Sequence, residues 1–142
     1  LIGLDTNVLV RYIVRDDEAQ ARAATRLIES RCSAEDPGLV NLVVLCELVW
    51  VLGRGYGYDK GVVSGVLRRI LTVKDLRVER AELAWTALNL YESGRANFAD
   101  YLIGIINREE GVARTCSFDR RTLDCDLFAP AESPDPTRPS GG

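Results

Sequence analysis

Apolar positions along the chain keep two rhythms: short continuous runs, and longer stretches in which they recur every third or fourth residue. Ile2-Gly3-Leu4 is a run of the first kind. It ends in Asp5-Thr6-Asn7, after which Val8, Leu9, Tyr12 and Ile13 fall at helical spacing, so strand, polar turn and helix are predicted in that order. Asp16-Asp17-Glu18 opens an alanine-rich helix to Arg31, whose acidic first turn suits the helix dipole and whose Ala19, Ala23, Leu27 and Ile28 form the expected apolar face. Past Pro37-Gly38, Leu39-Val40-Asn41 reads as a buried strand and Leu42 to Leu52 as a helix stopped by Gly53, Gly55 and Gly57. Asp59 caps a helix from Lys60 to about Leu71, with Val62, Val63, Val66, Leu67, Ile70 and Leu71 inward. Leu76-Arg77-Val78-Glu79 alternates like a short strand. Ala81 to Ser93 is an amphipathic helix ended by Gly94, and Asn97 caps another from Phe98 to Glu110, ended by Gly111. Val112 to Phe118 predicts a strand, followed by an acidic loop from Asp119 to Asp126 and a final apolar Leu127-Phe128-Ala129.

Short apolar strands alternating with amphipathic helices are the pattern of a parallel sheet covered on both faces, so the predicted class is α/β. One compact domain is expected over 1–129. The segment from Pro130 to Gly142 holds four of the five prolines and little to pack, and is expected to be a disordered tail. In parallel α/β sheets functional groups gather beyond the carboxyl ends of the strands. The residues just after each strand therefore come first.

Composition narrows the chemistry. The 142 residues are 46% hydrophobic and 27% charged, enough for a packed core. Histidine is absent, which removes Ser-His-Asp and Cys-His catalysis, His-ligated zinc and any histidine pH switch. Cys32, Cys46, Cys116 and Cys125 form no C-x-x-C pair, and buried free thiols in a reducing cytosol are expected. No basic-then-apolar leader opens the chain, and the apolar stretch Leu39 to Leu52 falls short of the ~20 residues that cross a bilayer, so a cytoplasmic, non-membrane protein is expected. A net charge of −3 argues against bulk electrostatic coating of nucleic acid while leaving room for a local basic patch.

Four acids then stand out. Asp5 ends the first strand and Asp119 the strand from Val112, which puts both at one rim of a parallel sheet; each could equally cap or hold its own turn. Glu47 is the only charge between Leu39 and Leu52, and its helix offers no broad polar face. A carboxylate buried there costs several kcal/mol unless a cation pairs with it. No Lys or Arg occurs at positions 43, 44, 50 or 51, so the expected partner comes from elsewhere in the fold or is a metal, the alternative being an exposed glutamate at the helix edge. Asp100 lies in the first turn after Asn97, an arrangement that also fits a capping box, while Gly104 one turn on suits the close approach of a neighbouring segment or ligand. Carboxylates from four segments, without histidine or a close cysteine pair, specify an oxygen-ligand site for Mg²⁺ or Mn²⁺. Such an ion activates water and steadies charge on phosphorus without a protein nucleophile.

The residues that carry these features, GLDTNVLVRYIVRDD at the start, Leu-Cys-Glu-Leu around Glu47, NFADYLI around Asp100 and CSFDRRTL around Asp119, resemble the PIN-domain nucleases, specifically the VapC toxins of bacterial toxin–antitoxin pairs. The resemblance runs from about Ile2 to Phe128. It implies a PIN-like three-layer α/β/α sandwich with a mainly parallel sheet, Mg²⁺- or Mn²⁺-dependent cleavage of RNA, inhibition by a VapB-like antitoxin, and homodimers. It also implies that Asp5, Glu47, Asp100 and Asp119 are the catalytic and metal-holding acids, with Asn7, Thr6 and Ser117 as supporting polar residues. Many relatives carry an acid where this chain has Asn97, a departure that touches local charge and capping more than the matched Asp100. Arg11, Arg15, Arg120 and Arg121 are candidate contacts for RNA phosphates. Two other classes compete. A phosphoacceptor receiver domain would need a strand-end lysine, and Lys60 and Lys74 are the only lysines, neither of them after the last strands. A catalytically weak PIN-fold module that binds RNA or antitoxin without turnover is the alternative that a cleavage assay would separate.

Overall fold

The computed structural model describes residues 1–132, which fall into two compact units divided after Ala81. The tail expected beyond Glu132 lies outside the described residues.

The first unit runs β1 (Ile2–Gly3), α1 (Thr6–Val14), α2 (Glu18–Arg31), β2 (Gly38–Val40), α3 (Leu42–Trp50), a π-helical turn (Val51–Gly55), α4 (Lys60–Thr72) and β3 (Leu76–Val78). Its three strands pair in the order β1-β2-β3, all parallel, with Ile2 opposite Gly38 and Gly38 opposite Leu76. Gly38 is required by packing: a Cβ there would stand 2.8 Å from both Cys32 Sγ and Leu4 Cδ1. Each of α1, α2, α3 and α4 begins at an Asp or Asn whose side chain accepts a backbone N–H of the first turn. The fully buried Leu9, Val40, Leu45, Leu48, Leu52 and Leu67 form the centre of this unit.

Several inward faces differ from expectation. On α2 the buried positions are Ala21, Ala24 and Ile28, whereas Ala19 and Ala23 face solvent, because an alanine-rich helix carries too weak an apolar signal to fix its rotation. On α4 Val62 is exposed and Ser64 is buried. Gly53 and Gly55 do not stop α3; the helix widens into the π turn, with Tyr56 N–H donating to Val51 O, and the chain leaves through Gly57 at φ +71°.

The second unit comprises α5 (Ala81–Ser93, its first residue belonging to the preceding unit), α6 (Phe98–Glu109), β4 (Thr115–Ser117), a 3₁₀ turn (Arg120–Asp124) and β5 (Phe128–Pro130). β4 and β5 pair in parallel, Thr115 opposite Phe128 and Ser117 opposite Pro130. The predicted strand from Val112 shrinks to three residues of Thr-Cys-Ser, none of them buried, so the apolar run was an unreliable guide to its length. The acidic loop contains the 3₁₀ turn. Pro130, assigned by sequence to the tail, is the last residue of β5, and Ala131 N–H donates to Ser117 O at 2.9 Å. The core gathers Leu88, Phe98, Tyr101, Leu102, Leu127 and Phe128, with Tyr91 and Phe98 edge to face at 6.1 Å between centroids. Gly104 fulfils its expected role, since a Cβ would come within 2.9 Å of the Phe128 ring.

Candidate active site

In the first unit the backbone leaves β1 through the buried Leu4, whose N–H donates to Leu39 O, and places Asp5 at the start of α1. Asp5 Oδ1 accepts the Thr6 N–H at 2.8 Å, so the residue is an N-cap, as its ordinary reading held. The side chain is exposed and its second oxygen carries no hydrogen bond among the described residues. Thr6 is buried at 4% exposure, and its hydroxyl has no hydrogen-bond partner among the described residues. Asn7 is exposed and lines a shallow hollow between α1 and α2 with Val8, Arg11 and Ala23.

Glu47 overturns the expectation of a buried carboxylate. It is exposed, with neither an ion pair nor a hydrogen bond among the described residues. The helix does have an outer face, made by Asn41, Val43, Glu47 and Trp50, but two of its members are apolar: Val43 and Trp50 are 67% and 65% exposed. An exposed apolar face leaves no polar trace in the sequence, so the burial argument for a cation at Glu47 falls.

Arg11 and Arg15, expected to meet phosphates, are engaged within the first unit. Arg11 donates to Gln20 Oε1 at 2.6 Å and to Asp16 Oδ1 at 2.8 Å, while Tyr56 donates to Asp16 Oδ2 at 2.8 Å. The Tyr56 hydroxyl and the Arg11 guanidinium together hold the Asp16 carboxyl below its usual range. Arg15, in the left-handed region at φ 61°, donates to Thr25 Oγ1 at 3.0 Å. It also stands at the edge of a cleft of about 430 Å³ whose walls include Leu9, Ile13, Ile28, Val66 and Ile70.

The second unit is more tightly organised. Asp100 Oδ2 accepts the Asn97 N–H at 3.0 Å, the acid's half of a capping box, and leaves its other oxygen uncommitted. Asp119 caps the 3₁₀ turn by accepting Arg121 N–H at 2.9 Å, and both its oxygens are taken by the Arg121 guanidinium, Nη2 to Oδ2 at 2.7 Å and Nε to Oδ1 at 3.1 Å. This fork holds the Asp119 carboxyl below its ordinary range. Asp119 raises Arg121 above its ordinary value, and Asp100 adds a smaller contribution of the same sign. Ser117 Oγ accepts the Asp119 N–H at 3.0 Å, and Arg120 is exposed.

Sequence reasoning missed the group that fixes the approach to Asp100. The buried Tyr101 hydroxyl donates to Asp124 Oδ2 at 2.7 Å and accepts Ala96 N–H at 3.2 Å, while Arg95 N–H donates to the same Asp124 oxygen at 2.8 Å. Burial, then the bond to Asp124, pushes the Tyr101 hydroxyl up to about 12. Partial burial would raise Asp124, but the Arg95 N–H and Tyr101 O–H outweigh it and the carboxyl lies below its usual range. Gly94 has no room for a side chain against Tyr101 and Asp124. Nothing in the sequence separates Asp124 from Asp126 or marks Tyr101 as other than core.

The donor chemistry fits a hard divalent cation: oxygen ligands only, with uncommitted carboxylate oxygens on Asp5, Glu47 and Asp100. Two features stand against a preformed cage. No group of three or more His, Cys, Asp or Glu side chains is arranged to hold a metal among the described residues, and Asp119 is closed by Arg121. Nor is any helix among the described residues long and apolar enough to cross a membrane.

Comparison with known proteins resolves the family. A curated VapC ribonuclease of Aquifex aeolicus (strain VF5) is 26% identical over 118 residues, which cover 83% of this chain and 87% of that protein. No solved structure matches. The family model of the PIN domain matches residues 2–125, a span that includes all four acids, and with it comes the fold class, a three-layer α/β/α arrangement with mainly parallel strands. The chain belongs to the PIN domain family.

Proposed function

We propose that this protein is a metal-dependent endoribonuclease that hydrolyses RNA phosphodiester bonds and acts as the toxin of a toxin–antitoxin pair. One observation carries the reading: the PIN domain match encloses Asp5, Glu47, Asp100 and Asp119 in a chain without histidine, so the chemistry left to it is carboxylate chemistry. In this reading the four acids hold Mg²⁺ or Mn²⁺, which when bound lowers the pKa of water and offsets charge on the phosphate. The protein's own groups do the rest. Asp5 and Asp119 are aimed by the caps they form, Ser117 fixes the turn under Asp119, and the exposed Arg120 meets backbone phosphate. Thr6 offers a buried hydroxyl beside Asp5, and Asn7 an exposed amide.

The partners accord with the same reading. A VapB-like antitoxin places an apolar side chain in the cleft walled by Leu9, Ile13 and Val66, and directs a basic residue at the acids. Two copies pair through helical surface, for which the apolar Val43 and Trp50 on α3 are available. A cytoplasmic protein organised as one PIN domain that runs through the end of β5 at Pro130 completes the proposal. The test is incubation of the purified protein with RNA and Mg²⁺ or Mn²⁺, with and without EDTA, and then sequencing of the RNA ends. EDTA-sensitive cleavage at discrete positions, lost in Asp5→Asn, is expected; cleavage indifferent to EDTA and to the substitution overturns it. The closed Asp119 favours one second reading, a catalytically weak module that binds RNA or antitoxin, and that reading gives binding without new RNA ends in the same experiment.

A further inference from the structure

The turn that carries Asp119 has a counterpart in the turn that carries Asp5. In both, a strand ends, one residue intervenes, and an aspartate caps the next helical segment. The intervening residue differs. Leu4 is 3% exposed in the core, whereas Phe118 is 77% exposed, the most exposed of the large hydrophobic side chains among the described residues. Phe118 has no aromatic partner there either.

Its exposure is not that of a loose loop. Ser117 is paired in β4 and its carbonyl accepts Ala131 N–H at 2.9 Å; on the other side, Asp119 N–H is bound by Ser117 Oγ and Asp119 O accepts Thr122 N–H and the Thr122 hydroxyl at 3.1 and 2.6 Å. A bare aromatic ring is thus presented outward from a turn fixed on both sides, next to a candidate catalytic carboxylate and ahead of two arginines. An isolated exposed apolar side chain is ordinary. A ring on a pinned turn, followed by a carboxylate and an exposed arginine, has the composition of a surface that takes a nucleobase on its face and a phosphate at its edge.

We infer that the Phe118 ring is a stacking platform for an unpaired nucleobase adjacent to the phosphodiester bond presented to Asp119, an inference that rests on the ribonuclease reading above. Stacking is tolerant of base identity, because every base has a π face, but it requires a base free of its own helix. Phe118 therefore selects single-stranded over duplex RNA rather than one sequence over another, and Arg120 supplies the phosphate contact that sets register.

The experiment uses the full chain in EDTA with single-stranded oligoribonucleotides carrying 2-aminopurine at successive positions, whose fluorescence falls on stacking, and with the matching duplexes. A parallel cleavage assay with Mn²⁺ is run on the unmodified protein. Wild type and Phe118→Tyr are expected to bind the single strand and quench it, while Phe118→Leu and Phe118→Ala lose on the order of tenfold in affinity together with the quench. Duplex binding is expected to be weak and equal in all four. If wild type cleaves RNA but Phe118→Leu binds and quenches like wild type, the inference is wrong and the nuclease reading stands. Wild type that neither binds nor cleaves RNA removes that reading, and the inference with it. Variants that alter only self-association in sedimentation, with RNA binding intact, make Phe118 a protein contact and overturn the inference.

Discussion

Asp5 and Asp119 occupy equivalent places in two different regions, each two residues past the end of a short parallel strand and each capping a helical segment, yet their carboxylates are held in opposite ways. Asp5 spends one oxygen on its cap and keeps the other open, and Glu47, in the same region, is wholly uncommitted among the described residues. Asp119 is gripped by an arginine two residues away. Of the four candidate acids, Asp5, Glu47 and Asp100 therefore keep open oxygens and Asp119 alone is closed. A cation would meet open oxygens at Asp5, Glu47 and Asp100 and would have to displace a guanidinium only at Asp119. The Arg121 side chain is half exposed, so the fork is easily exchanged rather than a permanent lock.

The largest expected effect breaks the symmetry of the two turns. Asp5→Asn and Asp119→Asn should each lower metal-dependent RNA cleavage by at least on the order of a hundredfold, since even outer-shell partners of a metal are worth 10–100-fold. Asn caps a helix as well as Asp does, so the Asp5→Asn melting temperature without metal should not fall, while the rise that Mn²⁺ gives wild type should vanish. An unchanged rise would remove Asp5 from the ligand set. Next in size, Tyr101→Phe should cost about 1–2 kcal/mol in a denaturant titration, because it leaves Asp124 and Ala96 N–H short of a buried partner.

That clip has a pH signature of known sign. A hydroxyl raised in the folded state stabilises fully below its unfolded value near 10, and the contribution is lost as pH rises through about 12. Wild type and Tyr101→Phe should accordingly converge in stability across that window.

A smaller effect sharpens the contrast between the regions. Arg121→Gln should tighten Mn²⁺ binding a few-fold, read by electron paramagnetic resonance without RNA, as expected for release of an exposed ion pair. Because Arg121 holds the Asp119 carboxyl below its usual range, the fork should be intact at every pH above that range and open only as the solution becomes acidic enough to protonate Asp119. The difference between variant and wild type should therefore stay constant from about pH 5 to 8. Smallest of all, Glu47→Gln should change stability by less than about 0.5 kcal/mol, since the side chain is exposed and unpaired among the described residues.

The alternation of apolar runs and periodic segments was enough to locate the helices, and α4 and α6 are announced twice, by Asp59 and Asn97 at their starts and by spacing. Asp5 and Asp119 were legible as strand-end acids for the same reason, and Gly104 as a place of close approach. Glu47 was misread because solvent on one side of a helix can be met by Val43 and Trp50 as readily as by polar residues. The boundary at Pro130 was misplaced because proline lacks only a donor: its carbonyl and the next N–H still serve a strand edge. Arg121 was read as a candidate phosphate contact, since its grip on Asp119 depends on a turn that brings residues two apart face to face. The pairing of Tyr101 with Asp124, 23 positions apart, has no local signature at all.

The pairing of β4 with β5 carries a consequence for the order in which the molecule is made. A chain synthesised from its N-terminus produces Thr115–Ser117 well before Phe128–Pro130, its partner in the ladder. Until the later strand has emerged, Ser117 lacks its ladder partner and the N–H that its carbonyl accepts, and the turn that aims Phe118 and Asp119 lacks that footing. On a translating ribosome, itself built of RNA, the Asp119 turn is therefore among the last parts of the described chain to take shape, and the first unit, with its own sheet and core, is complete long before it.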